Sequence, residues 1–142
     1  MRALLDVNVL IALLDSDHTS HAVAFHWFKE HAGEGWASCP ITQNGCIRIM
    51  ANPSYPNTLP IQSVMKRLVD ACGDDVHEFW FDDASLLDLK TIDSTRIHGP
   101  RQLTDIYLLS LAVRHDGRFV TFDTAIPLAS VRNAKAHHLV VL

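Results

Sequence analysis

Short apolar runs and helical stripes alternate along the chain. Ala3-Leu4-Leu5 is a brief apolar run ended by Asp6, the pattern of a buried parallel-sheet strand with a polar residue at its carboxyl end. Asn8 is a favourable helix N-cap, and Val9-Leu10-Ile11-Ala12-Leu13-Leu14 after it predicts a short helix closed by Asp15-Ser16-Asp17. Residues 18–32 set Ala22, Phe25, Phe28 and Ala32 at helical spacing with Trp27 beside them, and Gly33 and Gly35 end that helix. Trp36-Ala37-Ser38-Cys39 reads as a second strand. Pro40 opens a helix carrying Ile41, Ile47, Ile49 and Met50, which stops near Asn52-Pro53 before a proline-rich loop to Pro60. Ile61 to Cys72 predicts a further helix, closed by Gly73.

The second half repeats the alternation. Val76 to Phe81 is aromatic and reads as a strand, while Asp82 to Pro100 is polar and broken by Gly99-Pro100. Thr104-Asp105, with Thr104 as cap, opens a helix that places Ile106, Leu109, Ala112 and Val113 on one face and ends at Gly117. Phe119 to Phe122 is a strand closed by Asp123, and His138 to Leu142 is a last strand. Strands alternating with helices predict an α/β fold around a parallel sheet. With 142 residues, no internal repeat and no low-complexity tract, residues 1–142 read as one domain.

Composition narrows this little. Apolar residues make up 48% and charged residues 20%, as in globular proteins, which excludes disorder, collagen and coiled coil for the whole. The longest apolar run, Val9 to Leu14, is far short of the ~20 residues of a membrane span. It does not read as a signal peptide either, so the expected location is cytoplasmic. Cys39, Cys46 and Cys72 form no C-x-x-C motif and read as reduced thiols. Net charge is −4, which argues against a constitutive nucleic-acid coat. The charge is uneven: residues 70–93 hold one basic and eight acidic groups, residues 94–142 six basic and three acidic. The basic tail, with Arg96, Arg101, Arg114 and Arg118, has the sign to meet phosphate locally.

In open parallel sheets, sites lie outside the carboxyl ends of the strands. Asp6 and Asp123 fall there, and Asp105 sits in the first turn of a helix. Each alone is explained as a cap or dipole partner. Gathered together they repel one another and call for a cation. Oxygen ligands without a cysteine or histidine cluster favour Mg²⁺ or Mn²⁺. His18, His21 and His26 do not make a convincing zinc site, because no fourth ligand is evident. Phe25, Trp27 and Phe28 read as core rather than as base-stacking platforms, and Tyr107 as packing inward. Arg48 has the fork for a carboxylate or a phosphate, and a structural salt bridge is the equal alternative.

At these residues the chain resembles the PIN-domain ribonucleases, specifically the VapC-type toxins of bacterial toxin–antitoxin pairs. The similarity runs through Leu4-Leu5-Asp6-Val7-Asn8-Val9-Leu10-Ile11-Ala12-Leu13, then His18, His21, Ala24 and Trp27. It continues in Gly35-Trp36-Ala37-Ser38-Cys39-Pro40-Ile41-Thr42-Gln43-Asn44-Gly45 with Arg48, in Gln102 to Ala112, and in Thr121-Phe122-Asp123. The resemblance implies a PIN-like fold with a five-stranded parallel sheet flanked by helices. It implies a Mg²⁺- or Mn²⁺-dependent endoribonuclease whose metal ligands are Asp6, Asp105 and Asp123, with Asn8 and Thr121 lining the pocket. It also implies an antitoxin partner, a structured RNA substrate such as tRNA or rRNA, and a homodimer. Gln43 stands where the family usually has Glu, and an amide adds no negative charge. The rival expectation is therefore a catalytically weakened PIN-like protein that binds RNA or an antitoxin without cutting. A receiver-like phosphotransfer pocket fits less well, because Asp6 has no adjacent acid and neither Lys90 nor Lys135 follows an apolar strand.

Overall fold

The computed structural model describes every residue from Met1 to Leu142. Its strands are β1 (Ala3–Leu5), β2 (Trp36–Ser38), β3 (His77–Phe79), β4 (Arg118–Thr121) and β5 (Leu139–Val141). Its helices are α1 (Val7–Leu14), α2 (His21–His31), α3 (Pro40–Met50), α4 (Ile61–Cys72) and α5 (Leu103–Arg114). The strands form one sheet in the order β3-β2-β1-β4-β5, and every pairing is parallel.

Period-two alternation sends the central strands' side chains to opposite faces. Ala3, Leu5, Trp36 and Val120 join one core with Val9, Leu10 and Ile11 of α1, Cys46 and Met50 of α3, and Val64 and Leu68 of α4. Leu4, Ala37 and Phe119 join the other core with Ile106, Leu108, Leu109 and Ala112 of α5. The result is a three-layer α/β/α sandwich.

Several expectations are corrected locally. Asp6, not Asn8, caps α1: its side chain accepts a hydrogen bond from the Val7 N–H, and Asn8 lies exposed inside the helix. The sequence offers two good caps, and the strand stops so abruptly at Leu5 that the first is used. Thr104 is not the cap of α5 either, because a turn at Pro100–Gln102 runs straight into the helix. The histidine-rich helix begins at His21 rather than at residue 18. Phe25 is not core: it is half-exposed and stacks on His21. Trp27 and Phe28 do pack against the core. β3 is shorter than the aromatic run that announced it, and Phe79 and Phe81 remain exposed because β3 is a sheet edge. The three cysteines are free, as expected. No helix is long and apolar enough to cross a membrane.

Candidate active site

The strand order reverses direction at β1. The chain builds outward through β2 and β3 on one side, then returns to place β4 and β5 on the other. That is the switch point where parallel sheets leave a crevice at the strands' carboxyl ends. Leu5 of β1 pairs with Val120 of β4, so the residues that follow, Asp6 and Thr121, emerge side by side.

Asp6 is buried, with only 7% of its surface exposed. Its Oδ1 accepts from the Val7 N–H at 2.7 Å, and its Oδ2 accepts from the Thr121 hydroxyl at 2.7 Å. Thr121 Oγ1 in turn accepts from the Asp123 N–H at 3.0 Å. Burial pushes the Asp6 carboxyl above its ordinary range. The bonds from Thr121 and Val7 oppose that, and the Asp123 charge adds to it. Asp123 is exposed, and its Oδ1 accepts from the Ala125 N–H at 2.7 Å.

Asp105 lies half-buried in the first turn of α5. Its carboxyl is pushed up to about 7, first by burial, then by the charge of Asp6, and then by Asp123. The three acids predicted from the sequence are therefore one interacting group. Gln102 helps to assemble it: its Nε2 donates to the Ala125 carbonyl at 3.1 Å and its Oε1 accepts from the His98 N–H at 2.9 Å. This ties the start of α5 to the turn that carries Asp123, a role no sequence signal announced.

Gln43 occupies the first turn of α3, beyond the carboxyl end of β2. Its Nε2 donates to Ser38 Oγ at 2.9 Å. Helix α3 meets α1 at Gly45, where a Cβ would stand 2.7 Å from a methyl of Val7, the residue after Asp6. Asn8 makes no side-chain hydrogen bond, whereas Thr121 is fully engaged with Asp6. Tyr107 is partly buried with its hydroxyl unpartnered, and burial pushes it up to about 12. His18 and His21 are spent on local bonds, to Ser20 N and the Ala12 carbonyl, and His26 pairs with Glu30. Arg48 is exposed and forms no ion pair, so the salt-bridge alternative fails.

Comparison with known proteins identifies the family and the fold. The family model described as the PIN domain matches residues 3–132. The chain is 51% identical over 142 residues to ribonuclease VapC44 of Mycobacterium tuberculosis, covering 100% of both chains. It is 41% identical over 130 residues to ribonuclease VapC39 of the same organism, covering 89% of this chain and 91% of that one. The crystal structure of VapBC2 from Rickettsia felis bound to a DNA fragment from their promoter superimposes with a TM-score of 0.59. That match covers 100% of this chain and 98% of the other at 13% identity, a likeness of fold. Family model, full-length relatives and sheet topology converge: the chain belongs to the PIN-domain family, as a VapC-type ribonuclease.

Proposed function

We propose that this toxin–antitoxin endoribonuclease hydrolyses RNA phosphodiesters at a Mg²⁺ or Mn²⁺ site held by Asp6, Asp105 and Asp123. One observation carries the reading: three mutually interacting carboxylates sit at the switch point, and no lysine, arginine or histidine forms an ion pair with any of them. An uncompensated acidic cluster is a cation site in waiting.

The donors fit a hard divalent ion, since all are carboxylate oxygens and each retains acceptor capacity beyond its present bond. As the side chains stand, no group of three or more His, Cys, Asp or Glu is arranged to hold a metal. Without a cation, burial and the charges of Asp6 and Asp123 push the Asp105 carboxyl up to about 7, so it holds a proton more readily than an ordinary carboxylate. A divalent cation held by Asp6, Asp105 and Asp123 would supply Lewis-acid polarisation of the phosphodiester and activation of water. The chain does the rest. The Val7 N–H and Thr121 hydroxyl fix Asp6, the Asp123 N–H fixes Thr121, and Asp105 gives up its proton.

The substrate in this reading is a structured RNA such as tRNA or rRNA, cut in a loop where bases are splayed. The partner is a cognate antitoxin protein and the working unit a homodimer. Gln43 favours a second reading, in which a neutral amide leaves the pocket able to bind but not to cut. Cleavage of RNA with Mn²⁺, compared between wild type and Asp6→Asn, separates the two. The proposal expects a loss of about two orders of magnitude or more, with the melting temperature retained. Undiminished cleavage by the variant overturns the site. A wild-type protein that binds RNA yet leaves it intact in Mn²⁺ selects the second reading.

A further inference from the structure

Asp105 and Asp123 reach the site by different routes. Asp105 is carried by α5, whose Ile106, Leu108 and Leu109 are fully buried, so core packing sets its place. Asp123 is exposed, on a stretch after β4 that contains no helix or strand before Leu128. Hydrogen bonds along residues 123–127 are few. The Asp123 N–H donates to Thr121 Oγ1, the Ala125 N–H donates back to Asp123 Oδ1, and the Pro127 carbonyl accepts from Ser130. One hydrogen bond crosses from the Asp105 side: Gln102 Nε2 donates to the Ala125 carbonyl at 3.1 Å. That carbonyl has no other donor.

Gln102 is itself held. It is the residue at which α5 begins, and its own N–H donates to the Gly99 carbonyl at 3.1 Å. Its Oε1 accepts from the His98 N–H at 2.9 Å. These backbone partners decide how the amide points, because a carbonyl can only accept and an N–H can only donate. The nitrogen therefore faces Ala125 and the oxygen faces His98. An ionised glutamate, a lysine or a methionine has similar length but lacks one of these arms or both. Ala125 completes the connection, with its carbonyl on Gln102 and its N–H on the Asp123 carboxylate. A continuous path thus runs from the base of the helix that carries one acid to the side chain of another.

We propose that Gln102 is a positioning residue for the metal site: it fixes Asp123 relative to Asp105 before a cation arrives, and so sets the affinity for Mg²⁺ or Mn²⁺. The inference rests on the reading that Asp6, Asp105 and Asp123 hold that cation. Mg²⁺ demands near-ideal octahedral geometry, with oxygens at about 2.0–2.1 Å. A ligand on an untethered turn has to be ordered as the ion binds, and that loss of freedom weakens the complex. Gln102 orders the turn during folding instead. Its amide carries no charge, so it places the acid without neutralising it.

The test titrates Mn²⁺ into the metal-free chain and follows the free-ion EPR signal. Gln102→Ala and Gln102→Met are each expected to weaken Mn²⁺ binding about 10-fold. Gln102 is partly exposed, and methionine keeps the length of the stem while removing both hydrogen bonds. Thr95→Ala is the control. It removes a different hydrogen bond from the same irregular region, that of the Thr95 hydroxyl to Asp93, and is expected to leave Mn²⁺ affinity unchanged. RNA cleavage against Mn²⁺ concentration gives a second readout. The Gln102 variants are expected to need about 10-fold more Mn²⁺ for half-maximal rate and to reach wild-type kcat at saturation.

Wild-type Mn²⁺ affinity in both Gln102 variants overturns the proposal. Equal weakening in Thr95→Ala does so too, since it marks a general loosening, as does a kcat that saturating Mn²⁺ fails to restore. Asp105→Asn distinguishes these results from failure of the carboxylate reading. If Asp105→Asn binds Mn²⁺ as wild type does, the site and the proposal fall together. If it loses binding while Gln102→Ala and Gln102→Met keep it, the site stands and the positioning role falls.

Discussion

Asp6 does two jobs that pull against each other. As the cap of α1 it satisfies a free helix N–H, and any good cap residue does that equally well. As a buried carboxylate beside two others it carries charge the fold disfavours. Asparagine keeps the cap and drops the charge, which is why Asp6→Asn separates stability from activity. The same conflict sets the pH dependence through Asp105. Its ordinary carboxyl value is 3.8 and its folded value about 7, so the folded state binds an extra proton between them. The sign follows from linkage: the site is relaxed below the lower value, and stability is lost as pH rises toward the upper one. In EDTA, the melting temperature is therefore expected to fall between about pH 4 and pH 7, and Asp105→Asn is expected to remove that fall. Saturating Mn²⁺ is expected to reverse it. Carboxyls held low, such as Asp15 and Asp83, act with the opposite sign, losing stability as pH drops through their own low values. The difference between wild type and Asp105→Asn is thus the quantity to measure, and identical pH profiles for the two overturn the assignment. At this scale the sequence was informative because an acid at a strand end is a positional statement. It could not say whether Asp6 or Asn8 caps α1, or that His77 reaches Ser38 from another strand, since neither depends on local spacing.

At the scale of elements, site geometry depends on how closely α1 and α3 approach. Gly45 makes that approach possible: an added Cβ would stand 2.7 and 3.3 Å from the two methyls of Val7. Two effects of Gly45→Ala compete. Alanine improves helix propensity by about 1 kcal/mol. Overpacking a fitted contact costs about 1–3 kcal/mol, and Val7 is β-branched with little freedom to turn aside. The clash wins, so Gly45→Ala is expected to lower unfolding free energy by about 1–2 kcal/mol in urea titration and to reduce cleavage by displacing Asp6. Val7→Ala in that background is expected to restore both, and a Gly45→Ala protein as stable and active as wild type refutes the close-contact account. Element order was legible because helical and strand periodicities alternate cleanly. Where the pattern was weakest, tertiary context decided. The 82–100 stretch has no periodicity and folds as turns, including one at Ser94–Arg96 that Asp93 caps. The proline-rich loop before α4 is held by Tyr55 and Asn57 on the buried Asp15 carboxylate, a partnership across some forty residues that no window along the sequence contains.

At the scale of the molecule, a net charge of −4 has to be reconciled with a polyanionic substrate. Half of the six basic groups in the tail read from the sequence are already committed to ion pairs. Arg118 pairs with Glu34 and lies over Trp27, Arg114 pairs with Asp83, and Arg132 pairs with Asp93. Arg96 and Arg101 form no such pair and are exposed, and Arg101 sits in the turn that leads directly into α5 and Asp105. The sequence showed the excess of cations but not which were committed, because ion pairs are made between distant segments. This division predicts how RNA binding responds to salt. Each phosphate contact on a single strand contributes about −0.7 to the slope of log K against log salt concentration. Replacing Arg96 and Arg101 together with alanine is expected to weaken RNA binding and flatten that slope by about 1.4, measured with Ca²⁺ in place of Mn²⁺ and an Asp105→Asn background to suppress cleavage. Arg114→Ala, which removes a cation already neutralised by Asp83, is expected to leave the slope unchanged. If the slope falls with Arg114→Ala and holds with Arg96→Ala and Arg101→Ala, then RNA lies along the carboxyl-terminal end of α5, away from Asp105, and the path from phosphate contact to the acidic site is wrong.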